Sequence, residues 1–418
     1  MTSSKSLGAV VLLMAAVQFM NILDFMMVMP LGPDFAKGLA IPLSHLGYIG
    51  GAYTLAAAIG GVAGSFFLDR FDRRTALLGA LVGLTAATAL GGFATSMTTL
   101  MAARMLAGLF GGPSAALALA VVSDVVPPER RGRAMGLVMS AFSVASVLGV
   151  PAGLELSTLW GWRFAFFGVA GIGLLVAGGV YLLLPSLRGH MAVAGQPAGG
   201  FWNLMGNPLL PSSLAMAFVV MMGGFLLIPN LAAYVLGNLN YPRESLGGLY
   251  LFAGLASFAA MRMAGGVVDR VGALRVGVLA TIPLLAVYYW GFVDYLAGLP
   301  VIALYMVFMG VNSFRIVAYN TVSSRVPRPW ERARFMSIQS AVQHLAAACG
   351  AFLSSAMLVE LPGGKLGGVA RVAWFSMGLA LLFLPLLARL ERGLARQAKD
   401  LPAAPPVEAR VVPLNTEG

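Results

Sequence analysis

Twelve apolar runs, each about 20 residues long, divide this chain. They begin near residues 8, 44, 75, 98, 134, 163, 209, 245, 274, 298, 334 and 370, between clusters of charge, Pro and Gly. A helix of that length crosses the ~30 Å hydrocarbon core and satisfies its backbone hydrogen bonds internally, as lipid demands. Only 10% of the residues are charged and 59% are hydrophobic, whereas a soluble domain carries about a quarter charged residues. The 52 glycines suit helices that associate in lipid through close packing. The expected fold is an all-α integral membrane protein with 12 transmembrane helices in a lipid bilayer. The N-terminal run superficially resembles a signal peptide. It continues through Asp24 to about Pro30 without a small-residue cleavage site, so we read it as the first span.

The net charge of +11 would suggest a nucleic-acid partner in a soluble chain. Here it falls mainly in loops on one side. Loops after the even-numbered spans, up to the tenth, hold thirteen Lys and Arg against five on the other side. The positive-inside rule then places both termini in the cytoplasm, with no nucleic-acid partner. Cys349 is the single cysteine, so no intrachain disulfide is possible. The Gly- and Pro-rich segment 189–208 reads as a cytoplasmic linker between six-helix bundles at 1–188 and 209–389. Residues 390–418, charged and then rich in Pro and Ala, read as a disordered cytoplasmic tail. The halves echo each other at an offset of 200 residues. Leu68–Arg70 returns at Val268–Arg270, 121–130 at 321–330, and Leu46-Gly47 at Leu246-Gly247. Such duplication predicts two pseudo-symmetric bundles with a site between them, exposed to each side in turn.

"GSFFLDRFDRRTALLGA" (64–80) resembles the loop between helices 2 and 3 of the major facilitator superfamily, with Ser65 and Asp72 at the pattern's glycine positions. The second copy, "GGVVDRVG" (265–272), keeps both glycines. "RMLAGLFGG" (104–112) and "PPERRGRAMG" (127–136) resemble that family's helix 4 and the loop after it. "SVLGVPAG" (146–153) followed by "GWRFAFF" (161–167) resembles helix 5 of its 12-helix bacterial drug:proton antiporter branch. The resemblance implies the major facilitator fold and a secondary transporter in a bacterial cytoplasmic membrane.

Asp24 lies ten residues before Asp34, which marks the outer end of the first helix. That spacing puts it about 15 Å deep. Gln18, Asn21 and Asp24 share one face at spacings of three. A mid-bilayer charge costs at least ~2.5 kcal/mol, so this stripe should look into a cavity. Asp24 then either carries a proton or forms a structural ion pair with Arg104, and the two roles are compatible. Arg315 lies twelve residues before Pro327, again near mid-membrane. It requires Asp24, a substrate anion or backbone carbonyls as its partner. Asn312 and Tyr319 share its face; Asn230 with Tyr234, and Gln339 with Gln343, are further candidate cavity residues. His344 is either a packing residue or a proton relay. Asp69, Arg70, Arg73, Arg74 and Arg133, with Asp269 and Arg270 in the second copy, form either a gating latch or simply topogenic charge. Met20, Met26, Met27 and Met29 suit a promiscuous apolar pocket better than a soft metal, since no His or Cys joins them; no metal site is expected.

There is no Walker loop and no sign of an enzyme. The expected activity is proton-coupled efflux (antiport) of small apolar or amphipathic compounds by a monomer. The proton gradient supplies the energy and no cofactor is needed. Alternatives are a carrier of a small organic anion anchored by Arg315, and a non-transporting membrane sensor or assembly factor.

Overall fold

The structure, a computed structural model, describes residues 4–188, 205–296, 298–328 and 331–400. Linker residues 189–204 and tail residues 401–418 lie outside these. The first half comprises α1 (Ser4–Met27), α2 (Gly32–Leu39), α3 (Leu46–Phe67), α4 (Arg73–Gly92), α5 (Met97–Val125), α6 (Pro128–Met139), α7 (Ala141–Val144), α8 (Val150–Trp160) and α9 (Trp162–Leu183). The second comprises α10 (Leu210–Phe225), α11 (Leu231–Gly237), α12 (Leu246–Val271), α13 (Ala273–Tyr288), α14 (Val301–Ser323), α15 (Arg332–Met357) and α16 (Val369–Asp400). Between α15 and α16 the chain forms a hairpin of β1 (Val359–Leu361) and β2 (Lys365–Gly367), turning through Gly363 and Gly364 at positive φ.

Among the described residues, eleven segments are long and apolar enough to cross a membrane. The twelfth crossing is α15, whose hydropathy is diluted by Arg332, Arg334, Gln339, Gln343 and His344, yet which packs between α3 and α10. The segments begin within four residues of the positions expected from hydropathy. Helices α6 to α8 form one span, interrupted by a π-turn at Ala145–Gly149. Pro151 has no N–H to give to the preceding turn, and the wider turn absorbs that loss.

The 200-residue echo is a real repeat. Single 3₁₀ turns at Leu43–His45 and Arg243–Ser245 introduce α3 and α12, and α4 and α13 start at Arg73 and Ala273. Equivalent N–H groups at the starts of α4 and α13 are capped differently. That of Arg74 donates to Asp72 Oδ1 at 2.8 Å, and that of Leu274 to Glu391 Oε1 at 3.1 Å. Gly272, at φ +93°, replaces the capping aspartate in the second half.

Glu391 corrects the expected tail boundary. Helix α16 continues to Asp400 instead of ending at 389. Leu387 and Leu390 are sealed in the second half's core, with Leu394 packed against it. Their three- and four-residue spacing keeps an apolar stripe against the bundle, so Arg389 and Arg392 occupy the outer face while Glu391 turns back to the start of α13.

The cores show how the halves meet. At the end bearing the termini, each half has a core of its own, around Met14, Leu81 and Val121 in one and Met216, Tyr319 and Leu387 in the other. Toward the far end, a single core runs through both, including Ile49, Tyr53, Leu226, Leu231 and Leu249. There α3 approaches α15 so closely that a Cβ on Gly47 would lie 2.3 Å from the Ala351 carbonyl oxygen.

Candidate functional site

In the first half, α5 presses onto α3. A Cβ at Gly108 would sit 2.2 Å from the Tyr53 carbonyl oxygen, and one at Gly112 2.5 Å from that of Ala57. Arg104 lies one turn before Gly108, so this contact delivers its guanidinium to α1. Nη1 donates to Asp24 Oδ1 at 2.9 Å and Nη2 to Oδ2 at 3.0 Å, while Nη2 also reaches the Asp24 carbonyl oxygen at 3.2 Å. Thr88 of α4 donates its hydroxyl to Oδ1 at 2.7 Å. The Tyr53 ring faces the guanidinium, with Cζ 4.6 Å from its centroid. Asp24 is 0% and Arg104 1% exposed.

This pair corrects two expectations. The stripe does not face an open cavity: Asp24 points into the first half, where Arg104, Thr88 and Tyr53 replace water. Nor does Asp24 meet Arg315, because both its carboxylate oxygens are committed to Arg104. Asn21 follows the same inward path, donating to Ser114 Oγ at 3.2 Å and Val17 O at 3.0 Å. Gln18 is buried with its Oε1 unpartnered.

Arg315 lies in the second half, 3% exposed, its Cζ 4.6 Å from the Phe383 ring centroid and its Nε without an acceptor. Neighbouring candidates serve mainly to hold this half together. Asn312 donates to Phe308 O of its own helix at 2.8 Å. Tyr319 accepts from Gln343, and Gln339 donates to Asn320 Oδ1 at 3.2 Å, together tying α14 to α15. Asn230 donates to Ser354 Oγ at 3.0 Å and Tyr234 to Gly291 O at 2.6 Å. Both border a void of about 10 Å³, scarcely room for one water. Their hydrogen bonds stay inside the bundle, and Asn230 Oδ1 is left without a partner.

At the termini end, Arg73 pairs with Asp124 at 3.1 Å, joining α4 to α5. Arg70, Arg133, Asp269 and Arg270 are exposed. Asp69 belongs to the turn Leu68–Arg70, and its side chain lies outside the described residues. Among the described residues no ion pair joins the halves at this end. One does so at the far end. Arg243, before α12, donates to both carboxylate oxygens of Asp34 in α2, from Nε at 2.9 Å and from Nη2; Ser157 adds a bond at 2.9 Å. Glu360 of β1 also crosses, accepting from the Leu43 N–H at 2.7 Å.

With two six-helix repeats, a shared core at one end and a buried polar site, the comparisons with known proteins converge. The profile of the Major Facilitator Superfamily matches residues 14–206 and 213–415. The chain belongs to the Major Facilitator Superfamily. It is a multi-pass membrane transporter, not an enzyme. The transporter is 30% identical over 356 residues to a chloramphenicol resistance protein of Streptomyces lividans, covering 84% of this chain and 89% of that one. It is also 30% identical over 162 residues to a chloramphenicol efflux pump of Mycobacterium tuberculosis, covering 38% and 39% of the two chains. Its fold is similar to an inward-facing, occupied bacterial homolog of the human lysosomal transporter Spinster (TM-score 0.73, 17% identity, covering 96% of this chain and 100% of that one). It is likewise similar to the xylose transporter XylE of Escherichia coli (TM-score 0.72, 14% identity, 92% and 98%).

Several site residues escaped the sequence reading. Thr88 and Tyr53 carry no signal in an apolar run. Asp34 and Arg243 were legible only as an end marker and a loop charge. Asp72 had a usable signal, an Asp immediately before a helix. Burial pushes its carboxyl up. Bonds from Ser186, the N–H groups of Arg74 and Leu187, and Arg188 outweigh that and hold it below the usual carboxylate range.

Proposed function

We propose that the transporter exports small apolar or amphipathic compounds, chloramphenicol-like in size and polarity, in exchange for protons. The shared core at the far end, set against separate cores at the termini end, carries this reading. A seam closed at one end only offers its site to the other. The positive loops assign that open end to the cytoplasm, where an exporter loads. The two chloramphenicol-related relatives support the compound class.

Asp24 is the proton carrier in this scheme, and Arg104 modulates it. Neutralising Asp24 replaces two charge-assisted bonds with weaker ones and leaves a buried guanidinium short of acceptors. The guanidinium rests on Tyr53 of α3, two residues from Gly51, and α3 packs on α15 across the seam through Gly47 and Gly51. A change at Asp24 is thereby passed to the surface on which the halves close, although Asp24 itself is sealed. Asp69, Arg70 and Arg133, with Asp269 and Arg270, form the cytoplasmic latch when the site faces outward. The protein works as a monomer in a bacterial cytoplasmic membrane with both termini inside.

Proton flux in proteoliposomes, with chloramphenicol and a panel of related compounds, tests this. Compound added on the loading side should drive counter-movement of protons in the native protein and none in Asp24→Asn. Equal coupled flux in both would remove Asp24 from the mechanism.

The buried Arg315, whose Nε has no acceptor among the described residues, favours a second reading, a carrier of small organic anions. Arg315→Lys and Arg315→Ala would then abolish transport of anions while sparing neutral compounds.

A further inference from the structure

Between the start of α4 and the end of α9 lies a cleft of about 290 Å³, walled by Arg74, Leu78, Tyr181 and Arg188. Its charge is not cancelled. The Asp72 carboxylate beside it is occupied by Ser186, by the N–H groups of Arg74 and Leu187, and by Arg188. Arg74 spends one donor on the Tyr181 carbonyl oxygen and lies with its Cζ 5.3 Å from the Tyr181 ring centroid, which fixes it at the rim. Arg188 spends its Nε on Asp72, and its side chain is 75% exposed. Each guanidinium has five N–H donors, so two cations facing one saturated carboxylate leave several donors aimed at whatever enters.

The surroundings indicate the visitor. Leu182 and Leu183 are 77% and 63% exposed. On a membrane helix that marks the side turned to acyl chains. Tyr181, 58% exposed, walls the cleft within one turn of these leucines, and aromatic side chains favour headgroup depth. We propose that the cleft binds the phosphate of an anionic phospholipid from the leaflet at the termini end, its acyl chains lying along Leu182 and Leu183. Paired guanidinium–phosphate bonds suit Arg74 and Arg188. A zwitterionic lipid would bring an ammonium against the same arginines.

The full chain in nanodiscs doped with photo-crosslinkable phosphatidylglycerol or phosphatidylcholine tests the assignment. Phosphatidylglycerol should label a peptide spanning 74–78 or 181–188 in preference to phosphatidylcholine. Labelling should fall about fivefold in Arg188→Gln and about 25-fold when Arg74→Gln is added. Arg188 is too exposed to be required for folding, so the single variant stands alone if the double one misfolds. Arg275→Gln, an exposed arginine at the same end, should leave labelling unchanged. Equal labelling by both lipids, an equal drop in Arg275→Gln, or full displacement by inorganic phosphate would each overturn the proposal; the last would mean a site for free phosphate.

Discussion

Asp34 and Arg243 clasp each other across the two halves, two N–H donors meeting two carboxylate oxygens at the end farthest from the termini. Both side chains are mostly buried, at 20% and 25% exposure. A bidentate pair in that setting contributes more than a surface one.

Breaking that clasp should loosen the far end. In a Cys349→Ser background, a reporter Ser355→Cys on the α3–α15 seam should react with maleimide about 5–30 times faster when Asp34→Asn or Arg243→Gln is present, for a loss of ~1–2 kcal/mol. The charge-swapped double variant should recover part of the protection. An unchanged rate would show that the shared core alone holds the seam.

The Asp24–Arg104 pair should show the asymmetry of buried ion pairs. Asp24→Ala leaves Arg104 buried and uncompensated, at a cost of about 3–5 kcal/mol. Asp24→Leu with Arg104→Met should melt well above the single variant in detergent, while neither transports. A double variant no more stable than the single would mean that packing, not charge, sets the cost.

The end of α16 should matter where the sequence suggested a tail. Glu391→Ala removes the cap on the Leu274 N–H and should cost about 1 kcal/mol. Truncation after residue 389 also removes the sealed Leu390 and should lower the melting temperature further. Truncation after Asp400 serves as the reference, and indistinguishable melting of the two truncations would mean that residues 390–400 do not pack on the bundle.

Asp72 predicts a pH signature. Its folded carboxyl lies below the ordinary value, so its contribution is complete above the unfolded value, about pH 4. It is lost as pH falls through the folded value. The stability difference between native protein and Asp72→Asn should be flat from about pH 7 to pH 5 and shrink below about pH 4. A difference that grows on acidification would mean that the folded carboxyl lies above its unfolded value.

The sequence by itself determined the number of crossings, their starts to within a turn, the duplication and the family. These are written in hydropathy, in Gly and Pro spacing and in a fixed offset, all local or periodic properties that lipid enforces on every helix separately. It also narrowed Asp24 to a titrating role or an ion pair with Arg104, since an acid in hydrocarbon must have one or the other. Only the tertiary structure decided which direction that stripe faces, that Arg315 lies apart from Asp24, and that Asn230 and Tyr234 bond within their own half. A polar residue on a helix advertises that it needs a partner but not where the partner is, and the rotation of each helix about its axis depends on all its neighbours. The Asp34–Arg243 clasp shows this most plainly. Two charges 209 positions apart in sequence become neighbours only once both halves are packed, because nothing local links them.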